Sequence, residues 1–165
     1  MDWSRTRAYA LGLGQIYLNL KGREAKGIVS PGAEAEAVQD DLTARLMALH
    51  DPKTHQRIVD AVYKAADIYS GPFIGNAAEL QVGLADGYRV SWQTTLGGSP
   101  PGIVHPNMKK WSGDHSGYDF KSTAGTLISS RPLVSDVSRI IDIAPTVLRY
   151  FDVTIPADID GQPLF

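Results

Sequence analysis

Residues 97–107, near the middle of the chain, constrain the fold most, because this stretch holds three glycines and three prolines. Proline lacks a backbone amide hydrogen and glycine weakens helices and strands, so neither element can run through the stretch. We predict a long irregular loop here, and long loops in compact domains are often functional. Regular elements must therefore lie on either side of it.

Short runs with alternating apolar residues predict strands on both sides of this loop. Residues 7–11 and 15–20 flank a glycine turn, and Ile16, Leu18 and Leu20 fall on one face of the second run. Residues 57–63 are also typical of a strand. Residues 81–84 and 88–92 are expected to pair as a hairpin across residues 85–87. After the loop, residues 125–129 are predicted to form a buried strand.

Two segments carry the features of helices. Ser30 is predicted to cap the first helix and Pro31 to occupy its first position, and apolar residues then recur at helical spacing: Val38, Leu42, Leu46 and Leu49. The second segment covers residues 142–151, where Asp142 could be catalytic or could cap the helix. The predicted fold class is α/β, with sheet strands, flanking helices and long loops in a single domain of residues 1–165.

Composition excludes several classes of function. The chain is 43% hydrophobic and 21% charged, as in ordinary globular proteins, and its net charge of −2 gives no basic surface for nucleic acid or an anionic membrane. It has no cysteine, which excludes disulfides and thiolate chemistry. No stretch approaches the roughly 18 apolar residues of a transmembrane helix. Residues 1–5 lack a signal-peptide core, so we expect a soluble chain whose compartment is unknown.

The residues best suited to chemistry lie between the long loop and the predicted strand at 125–129. His115 could bind a metal through a neutral ring nitrogen, and Asp114 or Asp119 could hold its other nitrogen. The alternative is an ordinary loop histidine held by hydrogen bonds. Trp92 and Trp111 could line a substrate pocket or could serve packing alone.

Three segments resemble the alkaline-phosphatase superfamily, and in particular its type I phosphodiesterase and nucleotide pyrophosphatase group. The first is SGDHSGYD at residues 112–119, which is similar to the loop that carries a late metal-binding histidine. The second joins DIAPT at residues 142–146 to DGQPL at residues 160–164, a pairing similar to the end of these enzymes. The third is the opening, with TRAYA at residues 6–10 and GRE at residues 22–24.

The resemblance implies a C-terminal segment of a metal-dependent phosphohydrolase or phosphodiesterase, with a partial alkaline-phosphatase-like fold. Such enzymes hydrolyse phosphoester or pyrophosphate bonds with two metal ions, usually zinc, and a Ser or Thr nucleophile. Only His115 transfers as a metal ligand, and the nucleophile half has no counterpart here. The isolated chain is therefore expected to be inactive and to bind no metal tightly. The alternative is a non-catalytic module for packing, oligomerisation or covering a substrate.

The expected partners follow from this reading. They are the missing N-terminal half or another copy of the chain, and a small phosphoester for the parent enzyme, with no nucleic acid and no membrane. Separation from the rest of the sheet should leave residues 15–20 and 125–129 without strand partners. Unpaired strand edges promote association, so we expect a homo-oligomer.

Overall fold

The structure, a computed structural model, describes residues 1–98, 101–108, 110, 117, 119–135 and 137–165. The chain divides into two compact units, Met1–Ala124 and Gly125–Phe165. That residues 1–165 form a single domain stays a prediction.

The first unit is built on a four-stranded antiparallel sheet. Its strands are β1 (Ala8–Ala10), β2 (Gln15–Leu18), β3 (Val59–Lys64) and β4 (Leu80–Leu84), in the order β1-β2-β4-β3. The tight turn between β1 and β2 has positive φ angles at three successive residues, Gly12, Leu13 and Gly14. Glycine adopts that conformation without strain, so the two flanking glycines allow the turn. The two strands predicted on either side of this glycine turn are confirmed, and they pair with each other.

The described residues contain four α-helices: α1 (Ala33–Met47), α2 (Ala65–Ile68) and α3 (Trp92–Thr95) in the first unit and α4 (Ile143–Tyr150) in the second. Short 3-10 helices lie at Ile74–Asn76 and Ile140–Asp142. The first helix follows the predicted stripe, but the prediction that Ser30 caps it is wrong. Gly32 precedes the helix with a φ of 86°, and the Ser30 amide instead donates to the Glu34 carboxylate at 2.9 Å.

Two apolar clusters form the core of the first unit. One joins β2 to α1 through Leu18, Val29, Ala35 and Val38. The other joins β3 to β4 through Ile58, Val59, Val82 and Leu84. Burying an aliphatic side chain of this size stabilises the fold by about 1.5–3 kcal/mol, so the clusters hold the sheet against the helix and the loops.

A half-buried ion pair completes the junction of β2 and β4. The Arg23 guanidinium donates to both Glu79 oxygens, at 2.6 and 3.0 Å, and to the Leu18 carbonyl at 2.9 Å. Glu79 in turn accepts from the Leu18 amide at 2.7 Å. The two side chains thus satisfy the backbone of Leu18, the last residue of β2. The hydrogen bond to Glu79 is the main cause that raises the pKa of Arg23.

Two predicted strands are wrong. Residues 88–92 do not pair with β4, because β3 and β2 occupy its two sides and α3 begins at Trp92. Residues 125–129 are irregular, and Leu127 and Ile128 are 43% and 90% exposed. The expectation that β2 lacks a partner is also wrong, since β1 and β4 flank it. The edge strands of this sheet are β1 and β3.

The second unit consists of an irregular segment, the 3-10 helix, α4 and the tail that follows. The predicted helix at residues 142–151 is confirmed, with α4 covering most of it. A mixed fold with helices and a sheet is likewise confirmed for the chain. Within the residues that the structure describes, no helix is both long and apolar enough to cross a membrane.

Candidate functional site

The end of the predicted histidine loop lies beside the central strand β4. The Val82 amide donates to the Gly14 carbonyl and the Leu84 amide to the Gly117 carbonyl, both at 2.7 Å. Both amides point to the side of β4 on which β2 pairs, because amide direction alternates along a strand. Gly117 therefore continues the row of backbone partners of β4 beyond the start of β2.

Asp119 is buried against this strand, and both of its carboxylate oxygens accept hydrogen bonds. It is 2% exposed, and its Oδ2 accepts from the Tyr63 hydroxyl at 2.7 Å while its Oδ1 accepts from the Lys121 amide at 2.8 Å. A Cβ atom at Gly83 would lie 2.3 Å from Asp119 Oδ2, so only glycine lets the carboxylate sit this close to β4. Burial of the Tyr63 ring and its hydrogen bond to Asp119 raise the pKa of Tyr63 to about 12.

The predicted site residues divide into those that the structure describes and those that it does not. His115, Asp114 and Trp111 lie outside the described residues, so their predicted roles stay predictions. Asp119 is described, and each of its two oxygens already has a partner within the chain. Each oxygen has two acceptor positions, so a further contact with His115 is compatible with this arrangement.

A wide cleft opens elsewhere in the first unit, with a volume of about 1010 Å³. Its walls come from residues 51–58, from residues 86–93 and from residues 101–108 of the predicted long loop. Trp92, one of the two tryptophans proposed for a substrate pocket, lies in this wall and is 57% exposed. The Arg89 guanidinium stands 5.7 Å from the centre of its ring.

A hydrogen-bonded pair that the sequence analysis did not single out braces two walls of the cleft. Tyr88 donates its hydroxyl hydrogen to Asp51 Oδ2 at 3.1 Å. Asp51 Oδ1 accepts from the Lys53 and Thr54 amides at 2.7 and 3.2 Å, and the first of these bonds is the main cause of the lowered pKa of Asp51. The only signal in the sequence was the turn-forming run that begins with Asp51 and Pro52.

In the second unit, Asp142 is structural rather than exposed for catalysis. Its Oδ2 accepts from the Arg139 amide at 2.8 Å and its Oδ1 from the Gln162 amide of the tail at 2.9 Å. These bonds lower its pKa, with the Gln162 amide as the largest cause. The prediction that the Asp142 side chain caps the helix of residues 142–151 is wrong, because it makes no capping bond to α4 and bonds instead to the amide of Arg139, the residue before the short 3-10 helix.

Thr146 links the same two segments. Its hydroxyl donates to the Asp142 carbonyl at 2.5 Å and accepts from the Leu164 amide at 2.9 Å. A Cβ atom at Gly161 would lie 2.1 Å from the Ile141 carbonyl oxygen, so the tail passes too close to the helix start for any side chain there. The DIAPT and DGQPL segments therefore form one packed structure, referred to below as the tail lock.

Metal binding was tested on the described residues. Among them, no group of three or more His, Asp and Glu side chains could hold a metal ion. A catalytic zinc site needs three protein ligands, so the described part of this chain does not form one.

The chain was also compared with known proteins. No protein-family model, no curated protein and no solved structure matches it. The resemblance to the alkaline-phosphatase superfamily therefore depends on the motifs quoted above.

Proposed function

We propose that this chain is the C-terminal segment of a metal-dependent phosphohydrolase or phosphodiesterase with an alkaline-phosphatase-like fold. In this proposal His115 supplies one ligand of a two-zinc site that hydrolyses phosphoester or pyrophosphate bonds. The nucleophile and the other ligands belong to an N-terminal half that is not in these 165 residues.

The observation that carries the proposal is the attachment of Gly117 and Asp119 to β4. Metal ligands must be held to within a few tenths of an ångström, and sites supported by strands achieve this better than unsupported loops. The hydrogen bond from Leu84 to Gly117 and the burial of Asp119 hold these two residues, which follow His115 by two and four positions, on the inner strand β4. Anchoring so close to the histidine in sequence supports its proposed role as a ligand at the end of a sheet.

The tail lock gives further support. The DIAPT and DGQPL motifs carry much of the resemblance, and they are joined by bonds from the Gln162 amide to Asp142 and from the Leu164 amide to Thr146. Two motifs that bond to each other support a resemblance in fold. They carry no information on the substrate.

The chemistry assigned to the chain is limited to binding and orientation. Two zinc ions, when bound, would stabilise the attacking and leaving oxygens of a displacement at phosphorus. His115 would bind one of them through a neutral ring nitrogen, with Asp114 or Asp119 accepting a hydrogen bond from the other nitrogen. Trp92 and Trp111 remain the proposed lining of the substrate pocket.

A second candidate is a non-catalytic module, and the exposed apolar side chains favour it. In the second unit Ile128, Val137 and Ile140 are 90%, 76% and 85% exposed. Apolar surface of this extent is typical of a segment that another chain covers, either the N-terminal half or a second copy. Sedimentation at micromolar concentration tests the second copy, because a homo-oligomer is expected and a monodisperse monomer would contradict it.

The proposed function is tested in the longest reading frame that encodes these 165 residues. Its product should hydrolyse a chromogenic phosphodiester in the presence of zinc. His115→Ala should lower the rate by more than about 100-fold, the upper range for loss of a residue that only supports a metal ligand. His50→Ala, which removes an exposed histidine outside the cleft, is the matched control and should keep its activity.

Two results would contradict the proposal. One is a reading frame that adds no nucleophile and no further metal ligands. The other is equal activity in the His115→Ala and His50→Ala proteins, since a zinc ligand cannot be removed without loss of metal affinity.

A further inference from the structure

We propose that the cleft lined by Tyr88, Trp92 and His105 binds an uncharged, flat heteroaromatic ring. The cleft shares Trp92 with the proposed substrate pocket, but its ligand requires neither His115 nor a metal ion, so its test can fail without the hydrolase proposal failing. All the residues that argue for it belong to the first unit and are described by the structure.

The size and lining of the cleft suit a small molecule. Its volume of about 1010 Å³ lies at the upper end of ligand pockets, which span about 300–1,000 Å³. Its floor is continuous with the second core cluster, because Ile58, Val90 and Val104 belong to both. Ligand sites characteristically combine such an apolar floor with a few polar groups.

Trp92 provides the surface on which a ring would stack. The side chain is 57% exposed within the cleft wall. Ser91 caps α3, with its hydroxyl accepting from the Gln93 amide at 3.2 Å, and this bond orders the backbone that carries Trp92. The Arg89 guanidinium, 5.7 Å from the ring centre, is a contact of the side chain itself. A large aromatic face held on a capped turn binds flat rings with little loss of side-chain freedom.

The charges of the lining favour a ligand without net charge. Among the described residues of the lining, two cations, Lys53 and Arg89, are matched by two carboxylates, Asp51 and Asp86. The Asp51 carboxylate already accepts three hydrogen bonds, from the Lys53 and Thr54 amides and the Tyr88 hydroxyl. A charged ligand would lose its hydration without gaining a matching excess of opposite charge.

Two side-chain amides can recognise the edge of such a ring. Gln56 and Gln93 both line the cleft and are exposed. Each carboxamide has a donor and an acceptor, which matches the alternating ring nitrogens and carbonyls of heteroaromatic molecules. The walls that carry them are already braced by the hydrogen bond between Tyr88 and Asp51, so little reordering is needed on binding.

The test is a titration of the ¹⁵N-labelled chain with quinazolin-4-one, followed by NMR. We expect saturable binding with a dissociation constant on the order of 1 mM, as for a small fragment. Shifts should concentrate on the Trp92 indole N–H, on the side-chain amides of Gln56 and Gln93, and on the backbone of residues 101–108. Trp92→Leu should weaken binding by roughly 5- to 150-fold, the range for loss of one stacking aromatic.

The matched control is Phe73→Leu, which removes another highly exposed aromatic side chain, 77% exposed and outside the cleft. It should leave binding unchanged, and Gln93→Ala should weaken it without altering the fold. Cyclohexanecarboxamide, which is not flat, should not bind. Equal affinity for wild type and Trp92→Leu would overturn the proposal, and so would shifts spread over the exposed apolar side chains. Tighter binding of quinoline-6-carboxylate would overturn the assignment of an uncharged ligand.

Discussion

Gly83→Ala is the substitution that most sharply tests how Asp119 is held. The added methyl carbon would lie 2.3 Å from Asp119 Oδ2 and 2.9 Å from Asp119 Cβ and Cγ. β4 is an inner strand between β2 and β3, and it cannot shift without disturbing both of them. The Asp119 side chain must therefore move instead. It then loses its hydrogen bond from Tyr63 and its seat against the strand.

The expected cost follows from these contacts. Overpacking a dense site costs about 1–3 kcal/mol, and a hydrogen bond to a charged acceptor is worth about 1.5–3 kcal/mol. Alanine has less conformational entropy than glycine in the unfolded chain, and this difference offsets about 0.4–1 kcal/mol of the cost. We therefore expect Gly83→Ala to lower the free energy of unfolding by about 2–5 kcal/mol and the melting temperature by roughly 5–15 °C.

Urea unfolding followed by circular dichroism measures this change. Gly75→Ala is the matched control, because nothing lies within 4 Å of a Cβ atom there, and its effect should stay within about 0.5 kcal/mol or be stabilising. In an Asp119→Gly background the cost of Gly83→Ala should largely disappear, since both the clashing carboxylate and the Cβ atom at 2.9 Å are gone. A cost below about 0.5 kcal/mol in the native background, or an equal cost in both backgrounds, would refute the reasoning.

Three further predictions concern the rest of the site. The pKa of Tyr63 is about 12 in the folded chain against an ordinary 10.0, so the folded chain keeps a proton that the unfolded chain releases. The free energy of unfolding should therefore fall as pH rises from 10 to 12, and it should fall less steeply in Tyr63→Phe. Thr146→Val leaves the buried Leu164 amide without an acceptor, at a cost of about 1–3 kcal/mol, so exchange of that amide should accelerate, whereas Thr146→Ser should preserve its protection. The isolated chain should not hydrolyse a chromogenic phosphodiester with added zinc, and calorimetry should show no nanomolar zinc binding, because one histidine cannot form a three-ligand site. Turnover that His115→Ala abolishes would contradict this prediction.

Local patterns predicted the elements that depend on local sequence. The glycines at 12 and 14 predicted the turn between β1 and β2, and the apolar stripe predicted α1. The strand predicted at residues 88–92 failed because alternation alone does not distinguish a strand from a loop that packs side chains on a core. Tyr88 and Val90 do pack against the second core cluster, but without strand partners.

The candidate site depends on contacts between distant parts of the chain, which the sequence could not reveal. Asp119 was singled out from its own loop, but its partner Tyr63 lies 56 positions earlier and the need for glycine at 83 arises only once the two meet. The bond between Asp51 and Tyr88 spans 37 positions and was missed for the same reason. Asp142 was predicted to cap α4, and its actual bonds to the Arg139 and Gln162 amides depend on the turn before the helix and on the path of the tail.

The most direct test of the proposed function is to locate zinc by anomalous scattering in crystals of the full product of the reading frame. The account predicts a zinc ion with a ring nitrogen of His115 at about 2.0–2.1 Å, and further ligands from residues outside this chain. Zinc bound elsewhere, with the His115 ring facing solvent, would contradict the account.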